Sequence, residues 1–147
     1  MSASTAAEPL PCGPAPDGHD QPYWEALREG ELRLPRCAEC GQWRPVGRIS
    51  CAACWSFDTT WEVVEAAGEL FTWVRSHRDF MSELDAPAPY VTVLVQLGGV
   101  PIRLLGLLRE DAGAGDPLVG ERLVGVIEQP ANAAWPILRW RRAEAAA

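Results

Sequence analysis

Two Cys-x-x-Cys pairs separated by ten residues, 13 Gly with 13 Pro, and a series of alternating apolar runs after Trp61 predict a mainly β protein. The expected architecture is a short N-terminal helix and a four-Cys ribbon, followed by a five-stranded OB-fold-like barrel. Gly and Pro punctuate turns and interrupt long helices. Alternation with a period of two marks a half-buried strand. A chain of 147 residues has room for a core of ordinary size but not for two large domains.

Composition narrows the function classes. Hydrophobic residues make up 48% and charged residues 22%, the balance of a globular chain that can close a core. The net charge is −7, and all 13 basic residues are Arg. Without Lys, side-chain Schiff-base chemistry is excluded. An acidic chain that lacks a basic stripe also argues against a nucleic-acid partner. The charge is uneven: residues 1–30 carry five acids against Arg28, while residues 31–60 carry four Arg against three acids. Residues 1–8 have neither a cationic start nor an apolar run, so no secretory signal is read there. No stretch approaches the roughly 20 apolar residues of a membrane span. A cytoplasmic location follows as the expectation, and in a reducing setting paired Cys-x-x-Cys motifs bind metal more often than they form disulfides.

Taken in order, residues 1–20 are rich in Ala, Pro, Gly and acid, including Pro9, Pro11, Pro14 and Pro16. They offer too little apolar surface to offset ordering, which predicts a disordered tail, with Cys12 an unpaired thiol within it. Gln21 to Gly30 starts with Pro22 and stops at Gly30, the punctuation of a short helix whose apolar face is Tyr23, Trp24 and Leu27. That face docks on the ribbon or barrel, or meets another chain. Helix and ribbon together take residues 21–60. The barrel takes 61–142, and 143–147 form a second tail.

Within the barrel, Glu62 to His77 reads as one long curved strand bent at Gly68. Tyr90 to Leu97 alternates cleanly, with Val91, Val93, Val95 and Leu97 on one face. Gly98-Gly99 favours a tight hairpin turn, and Ile102 to Leu108 returns just after Pro101. Further strands follow at Glu121 to Glu128 and Ile137 to Arg141, which makes five. The longest connection, Arg78 to Pro89, has a length more often functional or mobile than structural.

Cys37-Ala-Glu-Cys40 and Cys51-Ala-Ala-Cys54 carry the chemistry. Two such knuckles on facing turns place four thiolates at the corners of a tetrahedron, a geometry that suits Zn²⁺. Gly41 follows the first knuckle, where a positive φ turns backbone N–H groups toward the sulfurs. Four protein ligands leave no open position for water, so one zinc per chain is structural and noncatalytic. A rubredoxin-like iron or a redox dithiol fits the same four residues, but nothing in the flanking sequence points to electron transfer.

No catalytic constellation accompanies the ribbon. His19 lies in the predicted tail, and His77 reads as a polar strand-end residue. Asp79, Glu83 and Asp85 read as a solvated acidic loop rather than a catalytic pair. No nucleophile elbow, dinucleotide fingerprint or phosphate loop occurs. Trp43 and Trp55 each sit beside a knuckle, and a ribbon is too small to bury both rings fully. They are candidate contacts at an interface.

The order of segments resembles a known family: a Tyr-Trp helix, Gly30-Glu-Leu-Arg-Leu-Pro-Arg-Cys37-Ala-Glu-Cys-Gly41, a second knuckle, Gly68-Glu-Leu-Phe-Thr-Trp-Val-Arg-Ser-His77, Pro89-Tyr-Val-Thr-Val-Leu-Val-Gln-Leu97 and Val119-Gly120. It is similar to the zinc-ribbon/OB-fold acyl-CoA-associated proteins, formerly a domain of unknown function, from about Tyr23 to Trp140. The resemblance implies an accessory subunit beside a thiolase-like enzyme, whether a thiolase or a thiolase-fold aldolase that degrades steroid side chains, or beside a hotdog-fold hydratase. The catalytic residues would sit in the partner and the acyl-CoA substrate at or near the interface, in an assembly with two copies of each chain. The four Cys ligands carry over residue by residue. Arg44 and Arg48, between the knuckles, become candidates for a CoA phosphate or an acidic partner surface.

Two readings of different class compete with that one. A single-stranded nucleic-acid module uses ribbons and OB barrels alike, but the charge opposes it. An independent enzyme lacks an ordered acid, base and nucleophile.

Overall fold

The computed structural model of the protein describes residues 12–79, 86–109, 114–131 and 133–144. Among them run one helix, α1 (Gln21–Arg28), and seven strands: β1 (Leu32–Cys37), β2 (Thr59–Val64), β3 (Ala67–Ser76), β4 (Tyr90–Leu97), β5 (Arg103–Arg109), β6 (Arg122–Glu128) and β7 (Ile137–Arg142). The mainly β class expected from the sequence is present, with the helix and the four-Cys unit preceding a closed five-stranded barrel. β1 and β2 form a separate antiparallel pair, and the barrel runs in the order β3-β4-β5-β7-β6.

Pro22 occupies the first turn of α1, where its missing N–H costs nothing. At the other end Gly30, with φ 80, stops the helix as Glu31 N–H bonds back to Ala26 O at 2.9 Å. Ala26 and Leu27 are buried, and Leu27 joins one hydrophobic cluster with Leu32 and Leu34 of β1 and with Leu70, Val93 and Val95 of the barrel. Arg28 lies 3.3 Å over the Trp135 ring and donates to Ala134 O. The helix therefore docks on both ribbon and barrel.

The inward row of β4 is the one its alternation predicts: Val91, Val93, Val95 and Leu97 are all buried. Opposite it, Trp140 of β7 is 0% exposed and fills the barrel interior. The ring fits because Gly106 faces it; a Cβ there would stand 2.8 Å from Trp140 Cδ1.

Several expectations need correction. The single strand read over 62–77 is two strands divided at Glu65-Ala66. β2 pairs with β1 from Cys37↔Thr59 to Leu32↔Val64, while β3 turns away to pair with β4 and β6. The boundary drawn between residues 60 and 61 thus falls inside β2, and the ribbon extends to Val64. The bulge lies at Phe71, between Leu70 and Thr72, and not at Gly68. After Leu97 the turn spans four residues, since Leu97 N–H bonds to Ile102 O. Of the tail expected over 1–20, residues 1–11 lie outside the described residues; from Cys12 on, the chain packs, with Ala15 N–H bonding Asp20 Oδ1 at 2.8 Å and Gly13 against the Trp135 ring. At the far end Ala143 N–H bonds Arg122 O at 2.9 Å, and 145–147 lie outside the described residues. So does the middle of the 78–89 connection, residues 80–85.

No helix among the described residues is long and apolar enough to cross a membrane.

Candidate metal centre and contact surface

The two knuckles are copies of one local fold. In the first, Cys37 N–H bonds Gln42 O at 2.8 Å and Gly41 N–H bonds Cys37 O at 3.0 Å. The second repeats both steps, with Cys51 N–H to Ser56 O at 2.9 Å and Trp55 N–H to Cys51 O at 3.0 Å. Each turn needs a left-handed residue four positions after its first Cys. Gly41 supplies φ 73, as expected, and Trp55 supplies φ 64. For a residue with a Cβ that conformation costs on the order of 1–2 kcal/mol.

The turns bring the four sulfurs together. Cys37 Sγ lies 3.5 Å from Cys54 Sγ, Cys40 Sγ lies 3.5 Å from Cys51 Sγ, and all four fall within 4.8 Å of one another. A tetrahedron with zinc–sulfur bonds of about 2.3 Å has edges of about 3.8 Å, so the cluster closes on such an ion with small shifts. Cys37 and Cys51 are buried, while Cys40 and Cys54 face out. Backbone N–H groups point at the inner sulfurs. That of Cys40 leads in drawing the Cys37 thiol down to about 6, and that of Cys54 leads in lowering Cys51. Ser56 N–H also lowers Cys54, but the neighbouring Cys37 thiol, burial and the other sulfurs push it up to about 12. Four clustered thiols therefore do not all ionise unaided, and a dication at their centre is the group that lets them. The residues fit one structural zinc per chain, and with four ligands committed none is left for a reacting molecule.

The other candidate residues part company. Arg44 is 1% exposed, and its guanidinium donates to Ile49 O at 3.0 Å and to Asp58 O. It ties the linker between the knuckles to the segment after them, so it is not offered to a partner or to a phosphate. This corrects its reading as a contact residue; burial of an Arg by two backbone carbonyls has no mark in local sequence. Arg48 is exposed. Trp43 is half-buried against the core, with Arg36 5.3 Å over its ring. Arg36 in turn donates to Gly41 O at 2.6 Å and to Glu62 Oε1 at 3.2 Å, which pins the first knuckle to β2.

Trp55 is different. It stands 76% exposed beside Phe57, which is 72% exposed, with Ile49 and Val63 also exposed on the ribbon. Sequence reading found Trp55 and overlooked Phe57, whose signal was an aromatic in a polar turn two residues further on. His77 is exposed at the end of β3, and Asp79 accepts the Ala88 N–H at 2.6 Å. Glu83 and Asp85 lie outside the described residues. Among the described residues no set of acid, base and nucleophile converges.

Against this geometry three comparisons can be set. Residues 24–60 match the ChsH2 rubredoxin-like zinc ribbon domain. A probable enoyl-CoA hydratase alpha subunit from Thermomonospora curvata is 30% identical over 122 residues, covering 78% of this chain and 37% of that protein. The chain thus spans little more than a third of that relative's length. Among solved structures, a chain of the Ltp2-ChsH2(DUF35) aldolase superposes with a TM-score of 0.73 at 23% identity, over 88% of this chain and 98% of that one. A DUF35-family protein of unknown function from Sulfolobus solfataricus gives 0.57 at 17% identity, over 88% and 87%. At those identities the two structures speak for the fold. Together the matches fit the zinc-ribbon/OB-fold acyl-CoA-associated family that the sequence resembles.

Proposed function

We propose that this chain, whose ribbon is of the ChsH2 kind, is a noncatalytic accessory subunit that binds a thiolase-like enzyme, either a thiolase or an aldolase of the thiolase fold, and supports its handling of acyl-CoA thioesters. The observation that carries the reading is Trp55. A large aromatic held in a costly left-handed turn, solvent-exposed and next to a second exposed aromatic, is an anchor without a pocket. Aromatic anchors dominate interface energetics, and backbone strain that persists at an exposed tip invites a functional account. The relatives support an enzyme partner, one being named a probable enoyl-CoA hydratase alpha subunit and the other an Ltp2-ChsH2(DUF35) aldolase, while the thiolase class comes from the sequence resemblance. Trp55 and Phe57 are the proposed anchors, with Arg48 at their edge. Thiolase-fold enzymes are symmetric dimers, so two copies of each chain are the proposed assembly.

The test is co-expression with a thiolase-like enzyme. Size-exclusion chromatography should return a complex, and partner turnover of a CoA thioester should fall when this chain is omitted. Trp55→Ala should weaken assembly at least tenfold while zinc content stays unchanged. Equal turnover with and without the chain, together with no complex, would sink the proposal.

A further inference from the structure

On the outer face of the barrel, Arg103 of β5 stands apart from the other arginines. Arg33, Arg36, Arg75, Arg109, Arg139 and Arg142 all pair with carboxylates. Arg103 pairs with none among the described residues, although Glu69 shares its register row, two strands away across Gln96. It is nevertheless held in place. Its guanidinium lies 3.6 Å over the Phe71 ring, and its Nε donates to Gln96 Oε1 at 3.1 Å. Gln96 is fixed in turn, with Nε2 at 3.2–3.3 Å from the carbonyls of Leu97, Val100 and Ile102. One face and one edge of the guanidinium are therefore occupied, while its two Nη groups have no acceptor among the described residues. A cation ordered in this way has lost much of its rotamer freedom before a ligand arrives. Arg103 also forms one wall of a recess of about 470 Å³ between ribbon and barrel, lined otherwise by Pro45, Gln96, Pro101 and Ile102.

We infer that this recess takes the carboxylate of an Asp or Glu side chain on the enzyme partner, gripped by the two Nη groups of Arg103. A planar carboxylate matches the guanidinium fork with two parallel hydrogen bonds. Arg103 is the one cation in the lining, so a phosphate ester, with nearly two negative charges, would be left undercompensated. The surroundings favour a protein over a free acid. Leu105, two residues on along β5 and so on the same face, is 70% exposed, and Val74 on the same face of β3 is 57% exposed. An Arg among exposed apolar side chains has the composition of a protein contact. Placing the carboxylate on an enzyme rests on the accessory-subunit reading above; the grip on a carboxylate does not.

Two measurements test the inference. In the first, the zinc-loaded, ¹⁵N-labelled full chain is titrated with N-acetylglutamate methylamide, its glutamine counterpart and inorganic phosphate. The Arg103 Nε–H and the Gln96 amide should shift with the glutamate probe and stay still with the glutamine one. In Arg103→Met the Gln96 amide should no longer respond. A larger response to phosphate than to the glutamate probe would overturn the carboxylate assignment. The second measurement is affinity for the co-expressed thiolase-like enzyme. Arg103→Met should weaken the complex about tenfold, the loss of a charge-assisted contact. Arg103→Lys, which keeps the charge and loses the fork, should weaken it about threefold. Phe71→Leu, which removes the ring beneath the guanidinium, should do the same. Zinc content and the unfolding midpoint should not move in any of the three. Wild-type affinity in Arg103→Met would refute this inference and spare the accessory role, whose anchors are Trp55 and Phe57. Self-association that Arg103→Met abolishes would put the carboxylate on a second copy and overturn the enzyme assignment. No enzyme complex, with the glutamate probe still moving Arg103, would remove the accessory reading and leave carboxylate recognition standing.

Discussion

Between Leu32 and Val64 the chain pairs two six-residue strands and holds its turns with four sulfurs, whereas from Ala67 to Arg142 five strands close around Leu70, Val93, Val95, Leu123 and Trp140. In the barrel the large side chains are needed inside, and the register leaves little choice about which. In the ribbon the metal-binding sulfurs fix the backbone, so Trp55 and Phe57 are free to face out. The two regions are joined through Leu27, Leu32 and Leu34, which share a cluster with the barrel residues. A metal-held unit can therefore present chemistry that a core-held unit would have to bury.

The comparison breaks or sharpens under substitution. The largest effect should come from the metal site, since structural zinc contributes on the order of 10 kcal/mol or more. Elemental analysis should find about one zinc per chain, and Cys37→Ser should lose it. Amide exchange should then lose protection in β1 and β2 while β3 to β7 keep most of theirs. Equal loss in both regions would show one cooperative unit instead of two. Acid should act in the same direction. The Cys37 thiol is depressed to about 6 from an ordinary 9.0, so its stabilising contribution is complete above 9.0 and is lost as the pH falls through about 6. Zinc uptake by the metal-free protein should weaken over that interval.

Next in size is Trp140→Ala, which empties the barrel interior and should cost about 3–5 kcal/mol by thermal or urea unfolding. Zinc content should not change. Trp55→Gly should carry the opposite sign, adding up to about 1 kcal/mol by relieving the left-handed turn, while lowering affinity for an enzyme partner. A loss of stability there would mean that Trp55 packs in the free protein. The smallest effect belongs to Cys12→Ser, within about 0.5 kcal/mol and with zinc unaffected.

Much of this was legible in the sequence because it is local. The Cys spacing encodes two identical turns, and the β4 alternation encodes one buried face. β1 was not read as a strand: Leu32 and Leu34 alternate, but Pro35 interrupts a ladder donor, which only a two-stranded pair tolerates so easily. The split at Glu65-Ala66 was invisible because β2 and β3 are both β-rich, and only their different partners separate them. Nothing near Arg44 foretold its burial, since the carbonyls that hold it come from Ile49 and Asp58. Which of the seven Trp would fill the barrel was likewise set by Gly106, 34 positions before Trp140 along the chain.

The barrel order has a consequence for how the protein is made. β7 is the last of the strands in the chain, yet it lies between β5 and β6, with Leu108 and Leu123 paired against Trp140 and Arg142. The ribbon has both its strands once Val64 has left the ribosome, but the barrel must wait 73 residues more, to Ile137. At translation rates of about 5–20 residues per second that interval is roughly 4–15 s. In the last part of it, once Arg109 and then Glu128 have emerged, β5 and β6 present edges that β7 has yet to cover, so the final strand is also the one that removes the barrel's open edges.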